Sequence, residues 1–105
     1  MSWIHLFLAG LFEIAFALGL KHTDGFTRPW PTVFTALAAA TSLWLLTRAL
    51  QGIPLGTAYA IWTGIGAVGV ALVGMAAFGE NASPARVACL LMIVGGVAGL
   101  KLLTR

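Results

Sequence analysis

The residue with most chemistry to offer is Glu13, set in the apolar run AGLFEIAFALGLK. It stands ten residues after Trp3. On a helix starting there it would lie about 15 Å down, at 1.5 Å per residue. In a membrane that depth is near the midplane. A charged acid there costs several kcal/mol, and such acids usually line a path for substrate or protons. The plainer reading is a protonated Glu bonded to a neighbouring helix. The absence of Lys or Arg from the middle of the apolar runs, which leaves a charge at that depth with nothing to neutralise it, argues against that reading.

Gly10, Phe16 and Ala17 fall on the same helical face as Glu13, at three- and four-residue spacing. Gly10 leaves room for an approaching helix or ligand. A second apolar run carries the hydroxyls Thr41 and Ser42 at similar depth. A third carries Tyr59 and Trp62, three apart and facing one way. Buried Tyr and Trp polar atoms seek a partner, and Glu13 is the strong acceptor at depth. A second reading makes Tyr59 and Trp62 interfacial belt residues, since Tyr59 lies near the end of its run. Gly64 and Gly66 make the third run bendable in mid-membrane, as a rocking transporter requires.

Other chemistries lack their residues. His5 and His22 have no Cys or acidic companion at ligand spacing, so no metal site is expected. No Walker-type loop, nucleophile elbow or paired catalytic acids occur. The chain therefore reads as a non-enzyme without a cofactor.

The elements that must position these residues follow from composition. The 105 residues are 60% hydrophobic and 9% charged, with a mean hydropathy of +0.99. Soluble domains run nearer 25% charged, and a chain this short could not hide so much apolar surface from water. Lipid is the remaining solvent. The net charge of +3 comes without basic runs or aromatic–basic interleaving, which speaks for interfacial anchoring and against nucleic acid. The single cysteine, Cys89, can form no disulfide within the chain.

A span needs roughly 20 apolar residues. Four stretches qualify, at 3–20, 32–50, 57–78 and 85–103, separated by breaks rich in Gly, Pro, Asn and charge. The runs are continuously apolar, which favours helices over the alternating pattern of a barrel. The expectation is an all-α membrane protein, residues 1–105 forming a single four-helix transmembrane domain. The first run lacks a basic leader and a small-residue cleavage site, so it reads as a mature helix rather than a signal peptide.

Four spans put Arg48, Lys101 and Arg105 on one side and Lys21, Arg28 and Arg86 on the other. At three against three, the positive-inside rule has no preference. The simplest reading is insertion in both orientations; the other is one orientation set by a weaker cue. Two inverted copies form the inverted repeat of alternating-access transporters. One subunit is too small to enclose a pathway, so an antiparallel homodimer is expected. Gly95 and Gly99 form a small-xxx-small pair suited to a close helix seam, either between subunits or within one.

The block GTAYAIWTGIGAVG at 56–69, the acid in AGLFEIAFALGLK, GFTRPWP in the first break and GLK near the end carry a resemblance. With these motifs the whole chain resembles the small multidrug resistance family, and its guanidinium-exporter branch most closely. The resemblance implies a multi-pass protein of the bacterial inner membrane. It implies an antiparallel dimer that exchanges small cytoplasmic cations for protons. Glu13 then matches the acid shared by substrate and protons. Ser42, Tyr59 and Trp62 match its polar and aromatic surround, and Gly10 a small position beside it. Thr57, Thr63, Ala67 and Lys101 fit the exporter branch better than the branch expelling quaternary ammonium drugs. A broader exporter of such lipophilic cations is the alternative reading. One position departs: Phe16, after Ala15, stands where the branch usually has Trp. The resulting expectation is that guanidinium bearing a substituent is admitted.

The balanced charge count yields a direct test. Reporter tags at the C-terminus should appear on both sides of the membrane in comparable amounts, and two Lys added near one terminus should bias insertion. Tags on one side only in the wild type would remove the antiparallel homodimer.

Overall fold

The computed structural model describes residues 1–104 as four α-helices and no strand. Arg105, one of the six charges weighed for topology, lies outside the described residues. The helices are α1 (Ser2–His22), α2 (Pro29–Ala49), α3 (Leu55–Ala77) and α4 (Pro84–Leu103). At 1.5 Å per residue, a helix of 21 residues spans about 31 Å, matching a bilayer core. All four are long and apolar enough to cross a membrane.

The helix ends explain themselves locally. Pro29 and Pro84 open α2 and α4, where a missing N–H costs nothing. The Ser83 hydroxyl caps α4 by accepting from the Arg86 N–H at 3.3 Å. Lys21 and His22, Arg48, and Lys101 sit in the last turns of α1, α2 and α4, against the negative end of each helix dipole. Buried Thr23 shapes the first loop: its carbonyl accepts from Thr27 at 3.0 Å and Arg28 at 3.1 Å.

The molecule is a slab of 43 × 35 × 16 Å. Helix α1 packs against both α2 and α3, while α2 barely meets α3. Helix α4 packs on α3, and none of its residues is buried. Its Lys101 ammonium reaches across to α1, lying 4.9 Å from the centre of the Trp3 ring. The apolar core joins Leu6 and Ala9 of α1, Leu45, Leu46 and Ala49 of α2, Ile53, and Ala58, Ile61 and Trp62 of α3. It therefore fills the half of the slab nearest the second loop.

Close approach between α1 and α3 depends on small residues, as expected where lipid supplies no hydrophobic drive between helices. A Cβ on Gly10 would lie 2.6 Å from Ile65 Cγ2, and one on Gly66 would lie 2.6 Å from Glu13 Cγ. Across the other face, a Cβ on Gly64 would lie 2.7 Å from Val97 Cγ2 of α4. Gly64 and Gly66, expected to make α3 bendable, are also points of close contact. Helix α3 runs unbroken through both, and each serves as a flat seat for a neighbouring side chain. Gly95 and Gly99 meet nothing within 4 Å, so this part of α4 forms no seam inside the subunit.

Gly10→Val should destabilise the fold by about 1–3 kcal/mol, because the new methyls overlap Ile65. Unfolding in detergent followed by circular dichroism measures it, and trimming Ile65 to Ala in the same chain should recover part of the loss.

Candidate functional site

Glu13 is the twelfth of the 21 residues of α1. Asp24 and Glu80 lie outside the helices, so Glu13 is the one acid within the described spans. It is half-buried. Among the described residues its carboxylate has no ion-pair partner, because Lys21, Arg28, Arg48, Arg86 and Lys101 all sit at helix ends or in loops. It lies in an open cleft of about 470 Å³ between α1 and α3. Glu13 and Ala17 form one wall, and Thr63, Gly66, Ala67, Val70 and Ala71 the other. Glu80, from the third loop, completes the lining.

The polar surround is arranged differently from expectation. Trp62 does not reach for Glu13. Its indole N–H donates to the Ser42 hydroxyl at 2.9 Å, and that hydroxyl donates to the Ala9 carbonyl at 2.7 Å. A nearer acceptor on α2 has taken the indole. The arrangement still bears on Glu13. In an α-helix the carbonyl of residue 9 accepts from the N–H of residue 13. The chain from Trp62 through Ser42 therefore ends on the carbonyl that holds the Glu13 turn. With Ser42 only 1% exposed and Trp62 9% exposed, it is a dry strut across α1, α2 and α3.

Tyr59 is 53% exposed and lies outside that strut, with its ring centre 5.5 Å from that of Trp62. No hydrogen bond joins it to Glu13 among the described residues. Its outward position fits a residue facing a partner subunit or the lipid interface. Gly10, one turn before Glu13, does not line the cleft; its face is filled by Ile65 rather than open to a ligand. Phe16, expected to line the site, is absent from the cleft. At 100° per residue it falls about 60° to one side of Glu13, while Ala17 falls about 40° to the other. Only the Ala17 flank faces α3 here.

Glu80 is a lining residue of the cleft that the sequence does not mark. Its position among turn formers marks it as loop, and no spacing rule connects it to Glu13 across 67 residues of sequence. Among the described residues, no group of His, Cys, Asp and Glu could hold a metal ion.

A fold of four apolar spans with a lone acid at mid-depth now meets the comparisons with known proteins. The family model for the small multidrug resistance protein matches residues 1–93. The chain belongs to the small multidrug resistance family. A protein of Proteus vulgaris named guanidinium exporter is 57% identical over 102 residues, covering 97% of this chain and 98% of its own. Proteins of the same name from Citrobacter freundii and Escherichia coli strain K12 are each 54% identical over 104 residues, covering 99% of both chains. Small multidrug resistance proteins are four-helix membrane transporters rather than enzymes, and the bacterial relatives agree with a multi-pass inner-membrane location. An antiparallel, dual-topology homodimer is in keeping with the family.

The strut makes a stability prediction. Ser42→Ala leaves the Trp62 N–H buried without an acceptor, which should cost about 1–3 kcal/mol. Adding Trp62→Phe removes the orphaned donor, so the double variant should lose less than the two single losses together. Thermal unfolding of the four proteins in detergent measures the cycle.

Proposed function

We propose that this chain exports guanidinium or a substituted guanidinium across the inner membrane in exchange for protons. The observation that carries this reading is the unpaired Glu13 carboxylate at mid-helix, at the head of an open cleft. The relatives named guanidinium exporter support the choice of cation. Guanidinium is planar and permanently charged near neutral pH, and its forked N–H donors match a carboxylate in a bidentate way that ammonium cannot. The small side chains of Ala17, Gly66, Ala67 and Ala71 suit a compact cation.

One subunit supplies one Glu13 carboxylate and a cleft open on its outer side. In an antiparallel homodimer, the Glu13 residues of both subunits share the central site. Protons and cation compete for the same oxygens, and cation bound from the cytoplasm leaves on the other side as protons take its place. The dimer alternates between two mirror-related states open to opposite sides. Ser42 and Trp62 hold the Glu13 turn. Tyr59 closes the site from its exposed position, and Gly95 and Gly99 form the seam between the subunits' α4 helices.

Selectivity divides this reading from a broader exporter of quaternary ammonium and other lipophilic cations. The cleft walls carry no aromatic ring to hold such a cation. Phe16 bears on selectivity only if its flank meets the site in the dimer. Proteoliposome uptake of guanidinium, singly substituted guanidinium and quaternary ammonium, compared side by side, decides between the readings. Guanidinium and its singly substituted forms should be carried and quaternary ammonium should not.

Glu13→Gln should reduce proton-coupled uptake to the background of empty liposomes while leaving a folded dimer. Coupled transport retained in that variant would end the mechanism. The competition also sets the sign of the pH dependence. Apparent cation affinity should fall as pH falls, and cation added to weakly buffered wild type should release protons.

A further inference from the structure

The cleft that holds Glu13 contains a second carboxylate whose position is built rather than incidental. Gly79, at φ +68°, turns the chain after α3 so that the Glu80 N–H reaches back to the Gly74 carbonyl at 3.1 Å. That φ is costly for other residues. The side chain then lies on α3 at Gly74, where an added Cβ would stand 2.6 Å from the Glu80 carboxyl carbon. One glycine sets the backbone of Glu80 and another clears space for its carboxylate.

Three further features bear on what this carboxylate meets. Among the described residues no Lys, Arg or His forms an ion pair with it. Lys21, at the same end of the molecule, is held over the Phe78 ring with its nitrogen 4.8 Å from the centroid. The lining between the two acids consists of Ala67, Val70, Ala71 and their small neighbours, which compete weakly for a cation.

Spacing determines how the two acids work together. Glu13 faces Gly66 and Glu80 faces Gly74, eight residues further along α3. At 1.5 Å per residue they lie about 12 Å apart along the cleft. A guanidinium ion is too small to bridge that gap. Water and salt around the exposed Glu80 further weaken its interaction with Glu13. One cation can therefore visit the two acids in sequence but cannot bridge them.

We propose that Glu80 is a vestibule site that captures guanidinium-class cations at the aqueous mouth of the cleft and hands them to Glu13. This rests on the function proposed above. Glu80 lowers the barrier to reaching the deep site without changing the affinity there. In an antiparallel dimer the two Glu80 residues stand on opposite faces of the membrane, one at each mouth.

The test is stopped-flow proton release on mixing guanidinium with the reconstituted dimer in weak buffer containing a pH dye. In Glu80→Gln, association and dissociation rates should fall together, by roughly three- to tenfold for a lost steering charge. The equilibrium constant should stay within about twofold, because a barrier acts equally in both directions. Proton count per cation should not change. Raised KCl should slow association in wild type and erase the difference from Glu80→Gln, and Glu80→Asp should restore most of the rate. Unchanged rates in Glu80→Gln would overturn the vestibule, as would a fall in affinity or maximal flux that Glu80→Asp does not rescue. If Glu80→Gln does not assemble, the wild-type salt series decides, and an association rate independent of KCl overturns the proposal. Wild type that releases no protons with guanidinium overturns the proposed function and the vestibule together. Wild-type release with unaltered Glu80→Gln kinetics overturns the vestibule alone.

Discussion

A carboxylate at the middle of an apolar helix, with no cation of its own subunit to answer it, is the constraint on which this molecule turns. In hydrocarbon such a group is either neutralised or matched. A resident Lys or Arg would satisfy Glu13 permanently and leave nothing for an exchangeable cation to do. Every described basic residue is instead at a helix end or in a loop, where water and lipid headgroups hold its charge. The middle of the spans is kept empty of positive charge, so no basic side chain among the described residues answers Glu13.

Holding that carboxylate in place falls to backbone rather than charge. Ser42 bonds to the Ala9 carbonyl, and Trp62 bonds to Ser42, so three helices meet at the turn that carries Glu13. No donor of this strut is spent on the carboxylate itself. Gly66 performs the matching task on the other side by letting α3 lie flat against the Glu13 side chain. The acid is thus fixed at its root and free at its tip, an arrangement suited to a group that must exchange partners.

The parts of this design differ in how plainly the sequence shows them. Hydropathy and turn residues reveal the four spans because lipid demands long apolar runs, and the helices extend the runs by a few residues into polar ends such as Lys21 and His22. Glu13 is legible for the same reason, since a charge stands out in an apolar background. Partner choice is not legible. Ranking acceptors by strength assigns Trp62 to Glu13, whereas proximity across α2 assigns it to Ser42. The glycines Gly64 and Gly66 suggest a hinge by composition, yet their bare surfaces are used for contact. Spacing of three or four residues puts Phe16 and Ala17 on one face with Glu13, but only the placement of α3 tells which flank is walled. Glu80 is hidden altogether, because its link to Glu13 exists only once the loop folds back on Gly74.

The shape of one subunit bears on why two are needed. The apolar core occupies the half of the slab nearest the second loop, while the cleft lined by Glu13 runs along α3 toward the third loop and Glu80. A slab 16 Å thick can form such a cleft between α1 and α3 but leaves its outer side open. Helix α4 does not cover it, since it packs on α3 and contributes no residue to the lining. A second copy in the same orientation would open both clefts toward the same face. An inverted copy points its cleft toward the opposite face while bringing its own mid-helix acid to the same depth, because Glu13 sits close to the centre of α1. Inversion therefore keeps the two carboxylates together and the two mouths apart. Under the export proposed above, exchange of the two subunits' conformations would carry one shared site from one side of the membrane to the other.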